Sequence, residues 1–295
     1  MSLAVPFSLA LWRDRQGALS MPRVVALALV VGPAAWFLLR ILVWGLGPRP
    51  VTAAIHFSGL WAVRLLAVTL AVSPLIAALR KPRWNPARRI LGVAVFAWAF
   101  AHLVLFWADK SFDPVVTATE IVKRIYLLIG FAAVLLLAAL AATSTDRAIS
   151  RLGTVGWRRL HLLVYAITLL GLVHFFMQVK ADVTEPTIYA GLMVWLVLLR
   201  APKKLGWPVS PATLVGAGLA AGLLTALGEA LYFHLKVGAP FSEVLLDADL
   251  DFSDGLRPCW WPLAASLVAA VALAAYRLAQ GKAPPTRRQA RPAVS

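Results

Sequence analysis

The sequence predicts an all-α polytopic membrane protein, a six-helix bundle followed by two further C-terminal transmembrane helices, and three observations support this. The 295 residues are 61% hydrophobic and only 14% charged, with a mean hydropathy of +0.79, well outside the range of soluble globular domains. Apolar runs of about 20 residues, enough to cross the hydrocarbon core of a bilayer, recur along the chain. The 29 Lys and Arg residues sit largely in short runs between those segments. That pattern reports membrane orientation, so the formal charge of +16 does not point to nucleic acid.

Eight spans are expected, and the linkers that bound them alternate in character. The first, Val24 to Trp44, follows Arg13, Arg15 and Arg23 and ends before the mixed linker Pro48 to His56. The second, Phe57 to Leu79, ends at the basic run RKPRWNPARR (Arg80 to Arg89). The third, Ile90 to Trp107, leads into the mixed linker Asp109 to Lys123. The fourth, Ile121 to Ala142, precedes the basic stretch Arg147 to Arg159. The fifth, Trp157 to Met177, precedes Val179 to Pro186. The sixth, Thr187 to Leu199, is short unless the helix starts by Glu185, and it ends at RAPKK (Arg200 to Lys204). The seventh, Ala212 to Phe233, leads into the acidic linker Leu235 to Pro258, and the eighth, Trp260 to Tyr276, into a basic tail. Some of these need tilt to match the bilayer.

The basic linkers fall on one side when eight spans are counted, and by the positive-inside rule both termini are expected in the cytoplasm. The chain thus divides into an N-terminal cytoplasmic arm (1–23), a core transmembrane domain (24–205), a two-helix extension with an acidic outer loop (206–279) and a basic cytoplasmic tail (280–295). Met1 to Arg23 lacks a small-residue cleavage site after a short apolar core and reads as a retained arm. Cys259 is the single cysteine, which excludes an internal disulfide, and no C-x-x-C-H run offers covalent haem attachment. No Gly-rich loop follows a strand, so the chain has no visible NAD(P)H site of its own. Gly216, Gly218 and Gly222 in the seventh span suit close helix packing, and the cores of the last two spans read as poor in polar chemistry.

Histidine in hydrocarbon is costly unless paired or ligated. His161 and His174 share the fifth span, about 20 Å apart along a straight helix and some 140° apart around it, too far to share one metal ion. His102 lies thirteen residues beyond Arg89 and His174 fifteen beyond Arg159, which sets both about 20 Å from the cytoplasmic boundary on spans running in the same direction. Neutral imidazoles from two facing helices are a common way to hold haem iron, so a b-type haem between His102 and His174 is expected in the outer half of the bilayer. His161 lies only about 3 Å inside the boundary, which leaves it to a second haem with another ligand, a quinone, a flavin, a propionate or plain interfacial packing. Arg64, inside the second span and one turn from Trp61, must snorkel or pair, and a haem propionate suits its planar fork. His56 and His234 read as interfacial polar residues.

Five stretches in order carry a family resemblance: SGLWAVRLLAVTLAVSPL (Ser58 to Leu75), RRILGVAVFAWAFAHL (Arg88 to Leu103), LAATSTDRAISRLG (Leu140 to Gly153), WRRLHLLVYAITLLGLVHF (Trp157 to Phe175) and VKADVTEPTIYAG (Val179 to Gly191). Together, over about residues 55 to 200, they resemble the MsrQ (formerly YedZ) family of the ferric-reductase-like transmembrane superfamily. The resemblance implies a six-helix bundle holding b-type haem in the bacterial inner membrane. It also implies haem histidines at His102, His161 and His174, and in some members FMN. Electrons would come from the quinone pool or a cytoplasmic flavin reductase. They would go to a periplasmic molybdenum-containing methionine-sulfoxide reductase (MsrP-like), where the substrate chemistry occurs. Residues from Trp207 onward add to the family pattern. Two other readings stay open: a stand-alone ferric or quinone reductase with an outer haem, and a non-redox transporter or structural membrane protein whose histidines merely pack. The acidic linker Glu243 to Asp254 reads either as an ordinary solvated loop or as a docking surface for the outer partner, whose use would weaken with salt.

Overall fold

A computed structural model describes residues 12–13, 16–179, 182–201, 205–253 and 255–281. Among these the architecture is all-helical, with one isolated bridge between Arg13 and Leu19 and no named strand. The helices are α1 (Met21–Trp44), α2 (Pro50–Leu79), α3 (Asn85–Asp109), α4 (Pro114–Lys123), α5 (Ile125–Ala142), α6 (Asp146–Leu160), α7 (Leu163–Gln178), α8 (Thr184–Leu198), α9 (Pro211–Val237) and α10 (Trp260–Gly281). Proline opens α2, α4 and α9, the position where its missing N–H costs nothing. Side chains cap the polar starts: Asp113 accepts from the Val115 and Val116 amides at 2.8 and 3.0 Å, and Ser210 forms a capping box with Thr213.

Among the described residues, six helices are long and apolar enough to cross a membrane, and α6 with α7 makes a seventh as a bent pair. The remaining expected span is the shorter α8, which begins at Thr184 and so includes Glu185. Two expected spans are corrected. The fourth does not run from Ile121: Arg124 adopts an extended conformation and separates α4 from α5. The charges of Lys123 and Arg124 belong outside the apolar helix, and Arg124 is held by Glu120 at 2.7 Å. The fifth does not run straight from Trp157: α6 ends at Leu160, α7 begins at Leu163, and the two are bent by 46°. Gly153, with φ 70° and ψ 160°, adds a kink inside α6 that a side chain would strain. Arg158 and Arg159 fill the last turn of this polar helix, so the bend turns the charged segment away from the axis of α7. The helical spacing of about 20 Å and 140° between His161 and His174 therefore does not hold.

The packed core lies between α2 and α3, extended by α5 and α7. Leu65, Leu91, Val95 and Ile167 are its most deeply buried apolar side chains. A second cluster joins Leu70 of α2 and Trp195, Leu196 and Leu199 at α8 to Leu214 and Ala221 of α9 and Ala270 and Leu273 of α10. Lipid supplies no hydrophobic drive between helices, so close contacts between small residues carry this packing. A Cβ on Gly218 would stand 2.0 Å from the Ser266 hydroxyl, one on Gly222 2.8 Å from the Cys259 carbonyl, and one on Gly191 2.5 Å from the Thr225 hydroxyl. Gly216 faces open space, so the packing role expected of all three α9 glycines holds for two.

The last two helices are also not poor in polar groups. Glu229 of α9 and Asp249 of the connector before α10 are 5% and 3% exposed, and both turn toward Arg257. The connector is not a uniformly solvated acidic loop: Glu243, Asp247 and Asp251 are exposed while Val244 and Asp249 are buried. Asp254, part of the expected docking surface, lies outside the described residues, as do Arg15, Lys203, Lys204 and most of the N-terminal arm and basic tail.

Candidate metal centre

Helices α3 and α7 bring His102 and His174 together, with ring centroids 6.2 Å apart and planes at 85°. Each ring is fixed by the same device on a neighbouring helix. The Nδ1 of His102 lies 2.8 Å from the Ile55 carbonyl of α2, and the Nδ1 of His174 lies 2.7 Å from the Tyr126 carbonyl of α5. A carbonyl only accepts, so both Nδ1 atoms carry the proton and both Nε2 atoms keep a free lone pair. Four residues past each carbonyl, one helical turn on, stands a glycine. A Cβ on Gly59 would meet His102 Nδ1 at 2.9 Å, and one on Gly130 would meet His174 Nδ1 at 2.7 Å. Any larger residue would have to push the ring off its carbonyl.

These residues fit a haem iron. The two rings come from different helices, their centroids are 6.2 Å apart, and each keeps an unprotonated Nε2. Imidazoles whose distal N–H is held by a backbone carbonyl are the oriented, basic form that ligates metals. Among the described residues no group of three or more His, Cys, Asp or Glu is placed to hold a metal ion. A two-histidine site suits an iron whose remaining positions are occupied by a porphyrin.

His161 stands at the elbow between α6 and α7, apart from this pair. It stacks on Trp157 at 3.9 Å, its Nδ1 lies 3.1 Å from the Trp157 carbonyl and its Nε2 3.4 Å from the Ser144 hydroxyl. Trp157 is itself tied to the Thr143 carbonyl at 3.0 Å. Arg64 is paired within the protein: its Nε donates to the Tyr189 hydroxyl at 2.8 Å, its Nη2 lies 3.5 Å from Glu185, and its guanidinium sits 5.1 Å from the Trp61 ring centroid. Tyr189 in turn packs on Phe175, the neighbour of His174. His56 is exposed, and exposed His234 is held by the Ala239 carbonyl at 3.0 Å. Beside His102 an apolar crevice of about 440 Å³ opens between α1, α2 and α3, lined by Phe37, Phe57, Ser58, Trp98 and Ala101 among others.

Sequence reasoning reached both rings but not their supports. Gly59 and Gly130 were visible as lone glycines in apolar spans, yet the pairing of each with a histidine on another helix needs the helix faces.

Comparison with known proteins bears on this geometry. The family model described as ferric reductase like transmembrane component matches residues 58–172. The protein-methionine-sulfoxide reductase heme-binding subunit MsrQ of Xanthomonas campestris pv. campestris is 43% identical over 161 residues, covering 54% of this chain and 73% of the relative. The protein of the same name from Caulobacter vibrioides is 38% identical over 169 residues (57% and 80%), and that from Polaromonas naphthalenivorans 37% over 180 residues (60% and 78%). The chain belongs to the MsrQ family. No solved structure matches it. The ferric-reductase-like match takes in His102, His161 and Arg64 and stops two residues short of His174, while α9 and α10 of this MsrQ-family chain lie beyond it.

Proposed function

We propose that this chain is the haem-bearing membrane subunit of a protein-methionine-sulfoxide reductase system, carrying electrons through one b-type haem held between His102 and His174. The observation that carries this reading is the facing ring pair at 6.2 Å, each ring anchored through Nδ1. The names of its relatives, heme-binding subunits of such a reductase, agree with it. When bound, haem supplies a one-electron iron couple. The protein's part is to hold two neutral imidazoles in one tautomer, to exclude water with the apolar walls of α2, α3, α5 and α7, and to keep the rings from rotating. Arg64 is 37% exposed in its side chain, and its Nη1 is engaged by neither Tyr189 nor Glu185, which supports a pairing with a haem propionate.

Sidedness follows from the basic linkers: the ends of the bundle bearing Arg80 to Arg89 and Arg147 to Arg159 face the cytoplasm of a bacterial inner membrane, as do both termini. The histidine pair then lies toward the periplasm. There the chain delivers electrons to a molybdopterin-containing, MsrP-like sulfoxide reductase that performs the substrate chemistry. Electrons come from the quinone pool or from a cytoplasmic flavin reductase, and the apolar crevice lined by Ala101, next to His102, is wide enough to hold a quinone tail. His161, near the cytoplasmic end with its ring on Trp157, serves electron entry, beside a quinone, FMN or a second haem.

Reduced-minus-oxidised spectra of the purified protein test this. The wild type should show a low-spin bis-histidine signal, His102→Ala and His174→Ala should each lose it, and His161→Ala should keep it. A colourless wild-type protein from haem-replete cells, or a signal lost in His161→Ala and kept in His174→Ala, would overturn the assignment.

A further inference from the structure

Among the described residues, the C-terminal extension holds two carboxylates and a single compensating cation largely out of water. The Glu229 side chain is 3% exposed, that of Asp249 4%, and that of Arg257 31%. Arg257 donates through Nη2 to Glu229 Oε1 at 2.7 Å. Its Nε lies 4.0 Å from Asp249 Oδ1, beyond hydrogen-bond range, and is itself without a partner. Among the described residues the second Glu229 oxygen has no hydrogen-bond partner, and Asp249 has none beyond a weak contact from the neutral Cys259 thiol. With both acids ionised the cluster would carry one uncompensated negative charge away from water, the arrangement buried groups avoid by taking up a proton.

We propose that Glu229, Asp249 and Arg257 form a one-proton binding site, in which Glu229 stays ionised on the guanidinium and Asp249 holds the proton as a neutral carboxylic acid. The assignment to Asp249 rests on geometry, since Glu229 has the charged hydrogen bond and Asp249 has none. Burial raises the Asp249 carboxyl above the ordinary aspartate range, against the opposing pull of Arg257. The other groups facing the pair do not supply the missing charge. Burial first, and then the two acids, push the Cys259 thiol up to about 12, so it stays neutral. Asp251 is exposed at the edge of the connector. Further along α9, the residues that meet it at Gly218 and Thr225, namely Ser266 and Pro262 of α10 and Gly191 of α8, carry no titrating group. The proton exchanges with water past the exposed edge of Arg257.

Charge counting gives a signature that a merely buried aspartic acid lacks. Infrared spectra of the full-length protein at neutral pH should contain the carbonyl band of a protonated carboxylic acid, and carboxyl-¹³C labelling of aspartate should shift it. Asp249→Asn should abolish that band. Glu229→Gln should also abolish it, because Asp249 then becomes the only partner of Arg257 and ionises. Arg257→Gln should strengthen it, since both acids then need protons. A wild type without the band, a band that ignores aspartate labelling, or one that survives in either acid variant would overturn the proposal. The labelled wild type decides the first two without any variant having to fold.

Discussion

His102 and His174 sit between α2, α3, α5 and α7 with every ring N–H spoken for, whereas Glu229 and Asp249, in the α9–α10 extension, sit with most of their oxygens unpartnered. In the first region backbone carbonyls take both ring N–H groups, so each imidazole keeps one lone pair for a cofactor, although the buried Trp61 indole N–H nearby is also without a partner among the described residues. In the second, capacity is left over because charges do not balance, and the simplest occupant is a proton. The two regions also use glycine differently. Gly59 and Gly130 make room for a side-chain ring, while Gly218 and Gly222 make room for another helix.

The sharpest way to break this contrast is at Gly130. Gly130→Ala sets a methyl at 2.7 Å from His174 Nδ1, too close for the ring to keep its hydrogen bond to the Tyr126 carbonyl undisturbed, so if His174 binds haem as proposed its support is lost. Loss of such outer-shell support typically costs about 10–100-fold in metal affinity. Haem titration of the purified variant should show a loss of that order, with the helix content unchanged. Gly59→Ala, with 2.9 Å of clearance, should show a smaller loss. Equal affinity for wild type and both variants would mean that the carbonyl–glycine saddles do not hold the rings.

Arg257→Gln tests the other region. Removing the single cation leaves two buried acids, and breaking a buried pair costs roughly 3–5 kcal/mol. Because Arg257 is 31% exposed, solvent screening reduces this to about 2 kcal/mol. Hydrogen exchange should rise in the connector and the C-terminal half of α9, with the haem spectrum unaltered. A spectrum that changes together with the exchange would show the two regions to be one cooperative unit.

Much of this was legible from composition, because a run of about 20 apolar residues is a strong one-dimensional signal. That His102 and His174 come together was legible for a related reason: counting residues from Arg89 and Arg159 sets both far from the basic ends, although the elbow after Leu160 interrupts the second count. What was missed depends on angles or on distant partners. Hydropathy does not register the extended backbone at Arg124 or the elbow after Leu160, so two helices are shorter than the apolar runs that contain them. Glu229 and Arg257 are 28 residues apart, and nothing in the local pattern pairs them, although a glutamate inside a span was itself a reason to look for a partner. The acids of Glu243 to Asp254 form one run in sequence, yet the turn at Glu243–Ala248 buries Asp249 and leaves its neighbours outside.

Within the extension, Gly218→Ala should destabilise the α9–α10 pair. The added methyl would lie 2.0 Å from the Ser266 hydroxyl and 3.2 Å from the Pro262 carbonyl, and since the backbone cannot rotate aside, overpacking of about 1–3 kcal/mol is expected. Thermal unfolding in detergent should report a lower midpoint. An unchanged midpoint would mean that α9 and α10 can separate freely at this crossing.

The smallest effect is expected at Gly216, and it isolates backbone entropy from packing. A Cβ there meets nothing within 4 Å, so Gly216→Ala adds no clash and removes only the conformational freedom that glycine has in the unfolded chain. Such replacements stabilise by about 0.4–1 kcal/mol where the native backbone is helical, and Gly216 lies inside α9. The midpoint of Gly216→Ala should therefore rise slightly while that of Gly218→Ala, half a turn further along the same helix, falls. Opposite signs from one methyl on opposite faces of the same turn would show that contact with α10 sets the need for glycine on this helix. A fall at both positions would instead place an unseen neighbour, lipid or a second protein, against the open face at Gly216.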